Sequence, residues 1–331
     1  MAKKILVTGA AGFVGSHLVE KLVEKGENVI CIIFNKDPVN HLPQEVREKV
    51  QLVTGDIRNK AFVEKVTKGC SQIYHLAATL NAPFIPWEEF YSTNVIGTRN
   101  IMDAALKEGV KKVVVTSSVA AIKETAERIS EEHRFKGFFD SHYALTKFKA
   151  EKVAFEYGSR GVDVVVLNPT IIYGPREIHT LGEIFRKHIQ PPVRLLAFKK
   201  SILNLIYVED AADGFILAMA KGRSGHRYIL GGPEMTLGAF VGLLDEVTHT
   251  KKPIITLPSS LLEFAVSIIE PLFTLLRHHP PLLKAQIKAM KRGTAVDISK
   301  SKKELGVPER SVKEGVRKAL EWYKKTGYIK Y

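Results

Sequence analysis

Tyr143 and Lys147 stand four residues apart in the run Ser-His-Tyr-Ala-Leu-Thr-Lys. On a helix, residues at that spacing share a face, so an ammonium sits beside a phenol. A free tyrosine titrates at about 10 and is a poor acid or base at neutral pH. A neighbouring cation favours the phenolate and lowers the pKa. Bringing it near 7 takes about 4 kcal/mol of differential stabilisation. In a chain with ten tyrosines, such a pair on its own is equally a plain helix surface. It acquires chemical meaning only when a hydroxyl partner and a nucleotide site precede it.

The elements upstream offer both. Residues 4–8 read as a buried strand, and a helical pattern runs on to Lys25. Between them lies Thr8-Gly9-Ala10-Ala11-Gly12-Phe13-Val14-Gly15. Glycines at 9, 12 and 15 permit a tight turn, a close backbone approach to a pyrophosphate, and helix-against-sheet packing. The amides opening the helix, at Phe13 and Val14, then face the phosphates with the positive end of the dipole. The alternative is a tight turn with no ligand.

A second strand at 29–33 runs into Phe34-Asn35-Lys36, with no acid to read a ribose. Nothing there repels a 2′-phosphate and Lys36 attracts one, so NADP is expected over NAD, with Asn35 and Lys36 at the ribose end. A third strand, 51–54, ends in Gly55-Asp56-Ile57. Asp56 either accepts from the adenine amino group or caps the next helix. A fourth, 72–75, leads into His75-Leu76-Ala77-Ala78, whose small residues admit a cofactor; His75 reads as a satisfied interior histidine. A helical pattern over 87–106 contains Asn94. The fifth strand, 112–116, delivers Ser117 and Ser118 beyond Thr116, and the sixth, 163–167, ends in Asn168-Pro169-Thr170. Open parallel sheets bind ligands at that carboxyl edge.

Alternating strands and helices predict an α/β fold with a doubly wound parallel sheet. A dinucleotide-binding domain is expected over 1–173, rejoined by a strand and helix at 203–221. A smaller substrate-binding domain is expected over 174–202 and 222–331.

The chain has 331 residues, 45% hydrophobic and 25% charged, an ordinary globular composition. Cys31 and Cys70 provide neither a disulfide framework nor a metal cluster, and Cys31 lies in an apolar run. No signal-peptide core precedes the first strand, so a cytoplasmic setting is expected. The net charge is +14, and residues 277–331 hold fifteen Lys or Arg against five Asp or Glu. That excess reads as a solvated helical face or as a site for an anionic partner, a membrane surface ahead of nucleic acid, for which no motif is present. Residues 257–276 are nearly long enough to cross a bilayer. Glu263 and Glu270 argue against crossing, and Pro271 is expected to break the helix near its end. The stretch reads as a buried helix, the lining of an apolar substrate pocket, or a peripheral membrane contact.

Taken together the motifs resemble an extended short-chain dehydrogenase/reductase. The matching stretches are Thr-Gly-x-x-Gly-x-x-Gly at 8–15, Gly55-Asp56, His75-Leu-Ala-Ala, Asn94-Val-x-Gly-Thr, Thr-Ser-Ser118, Tyr143-x-x-x-Lys147, Asn168-Pro-Thr and Val208-Glu-Asp210. Leu205-Ile-Tyr-Val-Glu-Asp and Arg227-Tyr-Ile-Leu-Gly-Gly are most similar to the dihydroflavonol-reductase-like and hopanoid-associated sugar-epimerase-like branch. The resemblance implies that Tyr143 is the acid/base and that Lys147 binds the nicotinamide ribose and depresses the tyrosine. It implies that Ser118 holds the substrate oxygen and that Asn94 supports the backbone near Lys147. Gly9, Gly12, Phe13, Val14, Gly15, Asn35, Lys36, Asp56, Ile57, Leu76, Ala77, Ala78, Thr116, Pro169 and Thr170 complete the expected cofactor site. A small-molecule substrate, a homodimer and no metal are expected.

Two departures narrow the chemistry. Dehydratases of the family carry Thr-Asp-Glu where this chain has Ser118-Val119-Ala120. Nucleotide-sugar epimerases often carry an arginine where this chain reads Ile202-Leu203-Asn204-Leu205, although Lys199 and Lys200 lie close by. The leading expectation is an NAD(P)-dependent oxidoreductase acting on a secondary alcohol or ketone. The alternatives are a sugar epimerase using the same triad, and a non-catalytic nucleotide-sensing scaffold, against which the joint presence of Ser118, Tyr143 and Lys147 argues.

Overall fold

The computed structural model describes residues 4–35, 41–80, 85–122, 128–133, 139, 141–179, 181–275, 287, 291 and 293–329, so Lys36 lies outside the described residues. The first part of the chain alternates strand and helix. It runs through β1 (Lys4–Thr8), α1 (Phe13–Glu24), β2 (Asn28–Ile33), α2 (Gln44–Arg47), β3 (Gln51–Thr54), α3 (Lys60–Thr67), β4 (Cys70–His75), α4 (Trp87–Phe90), α5 (Thr98–Lys107), β5 (Lys112–Thr116), α6 (His142–Gly158) and β6 (Asp163–Pro169). Beyond it come β7 (Ile171–Tyr173), α7 (Leu181–Ile189), β8 (Arg194–Leu196), β9 (Ile202–Tyr207), α8 (Val208–Lys221), β10 (His226–Leu230), β11 (Glu234–Thr236), α9 (Leu237–Thr248), β12 (Ile254–Thr256), α10 (Ser259–Leu275) and α11 (Val312–Lys325).

Seven strands form one parallel sheet in the order β10-β6-β5-β4-β1-β2-β3. A parallel sheet covered on both faces buries successive side chains alike, which is why its strands read as unbroken β-branched runs. Val113, Val114 and Val115 of β5 and Val164, Val165 and Val166 of β6 are all buried. The strand order reverses direction between β1 and β4, the position at which doubly wound sheets open a crevice beyond the carboxyl ends. Cys31 and Cys70 are buried and free, and burial pushes the Cys31 thiol up to about 12.

The chain forms two compact units. One comprises the chain up to Thr170, Val208–Gly231 and Asp297–Glu309; the other comprises Ile171–Tyr207, Gly232–Val296 and the chain from Arg310. These limits correct the expected domains. Residues 202–207 do not rejoin the large sheet: β9 pairs with β7 and β11 in the second unit. The first unit is rejoined by α8 and then by β10, whose His226 to Leu230 pair with Val165 to Pro169 of β6. Gly214 makes that return possible, because a Cβ there would stand 3.0 Å from the Leu230 methyls. The second unit has a three-stranded sheet, β11-β9-β7, and a parallel pair, β12-β8. Its core includes Phe185 packed on Phe240 and Tyr323 at ring distances of 6.2 and 5.4 Å.

Two helices differ from expectation. The run over 87–106 is helical, but a π turn at Tyr91–Gly97 interrupts it and turns Asn94 inward. Gly97 of that turn is pressed on Ile57, whose Cδ1 is 2.5 Å from where a Cβ would stand. Pro271 does not end α10, which continues to Leu275. The carbonyl that a proline leaves unpaired is that of residue i−4. Here that residue is Ser267, which is exposed, so water can take the bond.

Two glycine substitutions separate close packing from backbone conformation. A Cβ on Gly15 would stand 2.1 Å from the Gly9 carbonyl oxygen, whereas Gly26 has φ +74° and nothing within 4 Å. Gly15→Ala should cost about 2–3 kcal/mol through overpacking, and Gly26→Ala about 1 kcal/mol through its left-handed backbone. Urea midpoints at constant m report both; equal losses would refute the packing role of Gly15.

Candidate active site

The three glycines of the first turn do different work. Gly9 has φ +66°, and a Cβ on it would meet the Ala77 amide nitrogen at 2.8 Å, so it admits β4's continuation. Gly15 lets α1 sit on the turn. Gly12 would meet only the Gly9 oxygen, at 3.1 Å, so its far side is open. Gly12 is also the N-cap of α1, extended at φ −71° and ψ 174°, without a side-chain cap or an acid in the first turn. The amides of Phe13, Val14 and Gly15 therefore keep their donors and the helix dipole for an anion. Thr116 Oγ1, at the end of β5, is buried with no hydrogen-bond partner among the described residues. An open glycine, uncapped amides and an orphaned hydroxyl at one sheet edge fit a dinucleotide.

A buried chain of hydrogen bonds ties that turn to the helix bearing Tyr143. The Ala77 amide donates to Thr8 Oγ1 (3.1 Å). Because Thr98 spends its proton on the Asn94 carbonyl, neutral His75 is protonated at Nε2 and its Nδ1 accepts from the Thr8 hydroxyl (2.8 Å). His75 Nε2 then carries the proton and donates to Thr98 Oγ1 (2.9 Å), which donates to the Asn94 carbonyl (2.6 Å). The Asn94 side chain receives the Thr79 amide (2.7 Å) and donates to Thr146 Oγ1 (3.0 Å). Each donor thus fixes the next, and the imidazole is neutral: burial, then the Lys147 charge, lowers its pKa to about 3. His75 is the satisfied interior histidine that was expected. Asn94 reaches Thr146, one residue before Lys147.

Helix α6 opens on Ser141, whose hydroxyl accepts from the Ala144 amide at 3.2 Å. Tyr143, Lys147 and Glu151 follow at four-residue spacing on one face. The Ser118 hydroxyl, which accepts from the Ala120 amide at 3.2 Å, lies close enough to the Tyr143 phenol to pull its pKa down. Contrary to expectation, Tyr143 lies above its ordinary range: burial raises it and Ser118 only partly opposes this. The Lys147 ammonium instead donates to the Thr116 carbonyl at 2.9 Å. Burial lowers Lys147 to about 8 against the pull of Glu151.

Glu151 was not foreseen. Its carboxylate is buried, receives Asn168 Nδ2 at 2.6 Å and pairs with Arg227 at 3.1 Å. Burial holds it above its usual range, with Arg227 foremost among the opposing groups. Asn168 Nδ2 also donates to the Ser118 carbonyl at 3.0 Å, so one amide steadies both Glu151 and the loop carrying Ser118. Ser117 is buried, and its hydroxyl has no hydrogen-bond partner among the described residues.

The other expected cofactor residues occupy the same sheet edge, with qualifications. Asp56 does not cap the next helix; Asn59 does, accepting from the Phe62 amide. Asp56 instead accepts from the Arg58 guanidinium at both its oxygens, Nε reaching Oδ1 at 3.0 Å and Oδ2 at 2.8 Å. Burial pushes its carboxyl up, but Arg58 outweighs this and leaves it below the usual range. Arg58, also unforeseen, lies 5.9 Å from the Phe34 ring centre, beside exposed Asn35. Ile57 is buried beneath the π turn, so only its backbone is available. Leu76 and Ala77 are anchored to Thr8 by their amides, and Ala78 is half-buried. Pro169 is buried at the end of β6, and the Thr170 amide donates to Leu230. Among the described residues no group of His, Cys, Asp and Glu is suited to a metal.

The profile of the NAD dependent epimerase/dehydratase family matches residues 5–231. The chain belongs to that family. It is an NAD(P)-dependent enzyme of the extended short-chain dehydrogenase/reductase type. A protein of Synechocystis sp., provisionally named a dihydroflavonol 4-reductase, is 32% identical over 342 residues, covering 100% of this chain and 97% of its own. Sterol demethylase protein B of Methylococcus capsulatus is 29% identical over 330 residues, covering 98% and 99%. The crystal structure of gox2253 is similar with a TM-score of 0.84 at 27% identity, covering 99% of this chain and 100% of that one.

The neutral His75 makes stability depend on pH. Above about 6.5 the imidazole is neutral whether the chain is folded or unfolded. Between there and about 3 only the unfolded chain binds a proton, so stability falls as pH falls. The limiting slope from this group is about 1.4 kcal/mol per pH unit. His75→Gln keeps an amide between the two threonines and should remove that slope between pH 6 and 4, as followed by urea unfolding. Identical slopes in the two proteins would refute a neutral His75.

Proposed function

We propose that this chain catalyses hydride transfer between a nicotinamide dinucleotide and a secondary alcohol or ketone, working as a reductase at neutral pH. The observation that carries this reading is the Ser118–Tyr143 hydroxyl pair beyond the end of β5, with Lys147 one helical turn further on. When bound, the dinucleotide supplies or accepts hydride at its nicotinamide ring. Half-buried Tyr143, whose pKa desolvation raises, stays protonated at neutral pH and suits the role of acid toward a carbonyl oxygen. Ser118 donates to the same oxygen, and Lys147 adds positive charge beside it. Gly12 with the amides of Phe13, Val14 and Gly15 holds the pyrophosphate.

An apolar substrate is favoured over a nucleotide sugar. Val119 and Ala120 provide no carboxylates for elimination. Asn204, at the place where an epimerase arginine is sought, is buried and bonds Gly232 at both its carbonyl and its amide. The names of the two relatives, a dihydroflavonol reductase and a sterol demethylase protein, refer to polycyclic substrates of this apolar kind. NADP is favoured over NAD because residues 32–36 hold no acid and the Arg58 guanidinium, although paired with Asp56, stands 5.9 Å from the Phe34 ring centre.

Tyr143→Phe removes the hydroxyl alone. Ketone reduction should fall by about 10² to 10⁴-fold while dinucleotide affinity stays within about twofold. A Tyr143→Phe protein with most of its turnover would sink the assignment. In titrations, NADP should bind about tenfold more tightly than NAD, and Arg58→Ala should shrink that ratio. Tighter binding of NAD by the unsubstituted protein would reverse the cofactor preference.

A further inference from the structure

Glu151 follows Lys147 by one turn of α6, and the two residues are only 1% and 4% exposed. Groups from two strands hold the carboxylate. Its Oε1 accepts from Asn168 Nδ2 of β6 at 2.6 Å. Its Oε2 makes no hydrogen bond among the described residues and lies 3.1 Å from the Arg227 guanidinium of β10. A buried carboxylate with so few donors is costly unless cations balance it. Arg227 is one such cation, and an arginine keeps its proton. Lys147, four residues away on the same helix face, is the other.

The bond that Lys147 itself makes does not decide its charge. Its Nζ donates to the Thr116 carbonyl at 2.9 Å, and a neutral amine can make that bond too. Burial favours the amine, and buried lysines are known to titrate at about 5 to 6. Lys147 falls only to about 8, with Glu151 as the charge that opposes burial. The other titratable groups around the pair do not supply that pull. His75 of β4 is neutral, Tyr143 keeps its proton, and Arg227 is a cation engaged with Glu151.

We propose that Glu151 is a positioning residue of this site: its buried carboxylate, anchored by Arg227 and Asn168, keeps Lys147 charged at neutral pH. The consequence for turnover rests on the hydride-transfer reading of Tyr143 and Lys147; the consequence for the Lys147 charge does not. A neutral Lys147 keeps its bond to Thr116 but loses the positive charge that favours negative charge developing on a substrate oxygen. The coupling is reciprocal, so Lys147 also helps Glu151 to stay ionised.

The test titrates Lys147 directly. The full chain is labelled with carbon-13 at lysine Cε, and the Lys147 resonance is identified by its loss in Lys147→Arg. In the unsubstituted protein it should report an ammonium at pH 7 and titrate above that pH. Glu151→Gln keeps the side-chain length and an oxygen for Asn168 Nδ2, and removes the charge. There the Lys147 midpoint should fall by about one pH unit or more. The alkaline limb of kcat/KM for ketone reduction should move down by the same interval. A residue that merely braced the fold would move neither. Far-ultraviolet circular dichroism checks that the variant is folded. A Lys147 that is already neutral at pH 7 in the unsubstituted protein overturns the proposal without any variant. So does a folded Glu151→Gln protein with an unchanged Lys147 midpoint, or a midpoint that moves while the kcat/KM limb stays. A midpoint that moves in a chain that reduces no ketone supports the hold of Glu151 on Lys147 and overturns the hydride-transfer reading instead.

Discussion

The buried hydrogen-bond chain from Thr8 through His75 and Thr98 to Asn94 and Thr146 is the constraint on which the rest of the first unit depends. Its members come from the glycine turn, the end of β4, the π turn, the start of α5 and α6. In a dry interior each polar group must find a partner, and a partly satisfied network costs more than an apolar one. Histidine suits the centre because a neutral imidazole both accepts and donates. The chain has one direction, which fixes the tautomer without a charge. The π turn belongs to the same requirement, since it turns Asn94 inward to meet Thr79 and Thr146. Such single π turns recur at functional sites for this reason.

On α6 the governing effect is desolvation. It raises Tyr143, lowers Lys147 to about 8 and raises Glu151, so each group is pushed toward its neutral form. What resists is an ordered set of partners: Ser118 for the phenol, Glu151 for the ammonium, and Arg227 with Asn168 for the carboxylate. Three residues at four-residue spacing thus form a coupled column rather than a lone pair. A protonated tyrosine is the state required to deliver a proton to a carbonyl oxygen.

The second unit is held by different means. Phe185, Phe240 and Tyr323 form an aromatic core, and the three-stranded sheet gathers segments from both sides of the returning α8 and β10. Against that ordinary packing, α10 stands out. Leu261, Phe264, Ile268, Leu272 and Leu275 are each at least 50% exposed, so the expectation of a buried helix does not hold for this stripe. Such a stripe is unfavourable in water alone, and contiguous exposed apolar surface of this kind marks an interaction site.

Much of this was legible in the residues themselves. Unbroken β-branched runs such as Val113 to Val115 identify buried parallel strands because both faces of such a strand are covered. The glycine spacing at 9, 12 and 15 identifies the first turn because a Cβ at these positions would stand only 2.1 to 3.1 Å from backbone atoms. Tyr143, Lys147 and Ser118 were candidates from type and position, since a helix repeat and a strand end are local facts. Tertiary structure decided the rest, because partners distant in sequence leave no spacing signal. Arg227 meets Glu151 only because β10, not β9, adds to the large sheet, and that depends on register and on Gly214. Asp56 faces Arg58, the Lys147 ammonium turns to Thr116, and burial raises the Tyr143 pKa where local reasoning from a neighbouring cation had it fall. Local sequence determines which groups are near one another on an element. How deeply those groups are buried, and which charges from elsewhere surround them, is determined only when the whole chain has packed, and desolvation is then the larger energy.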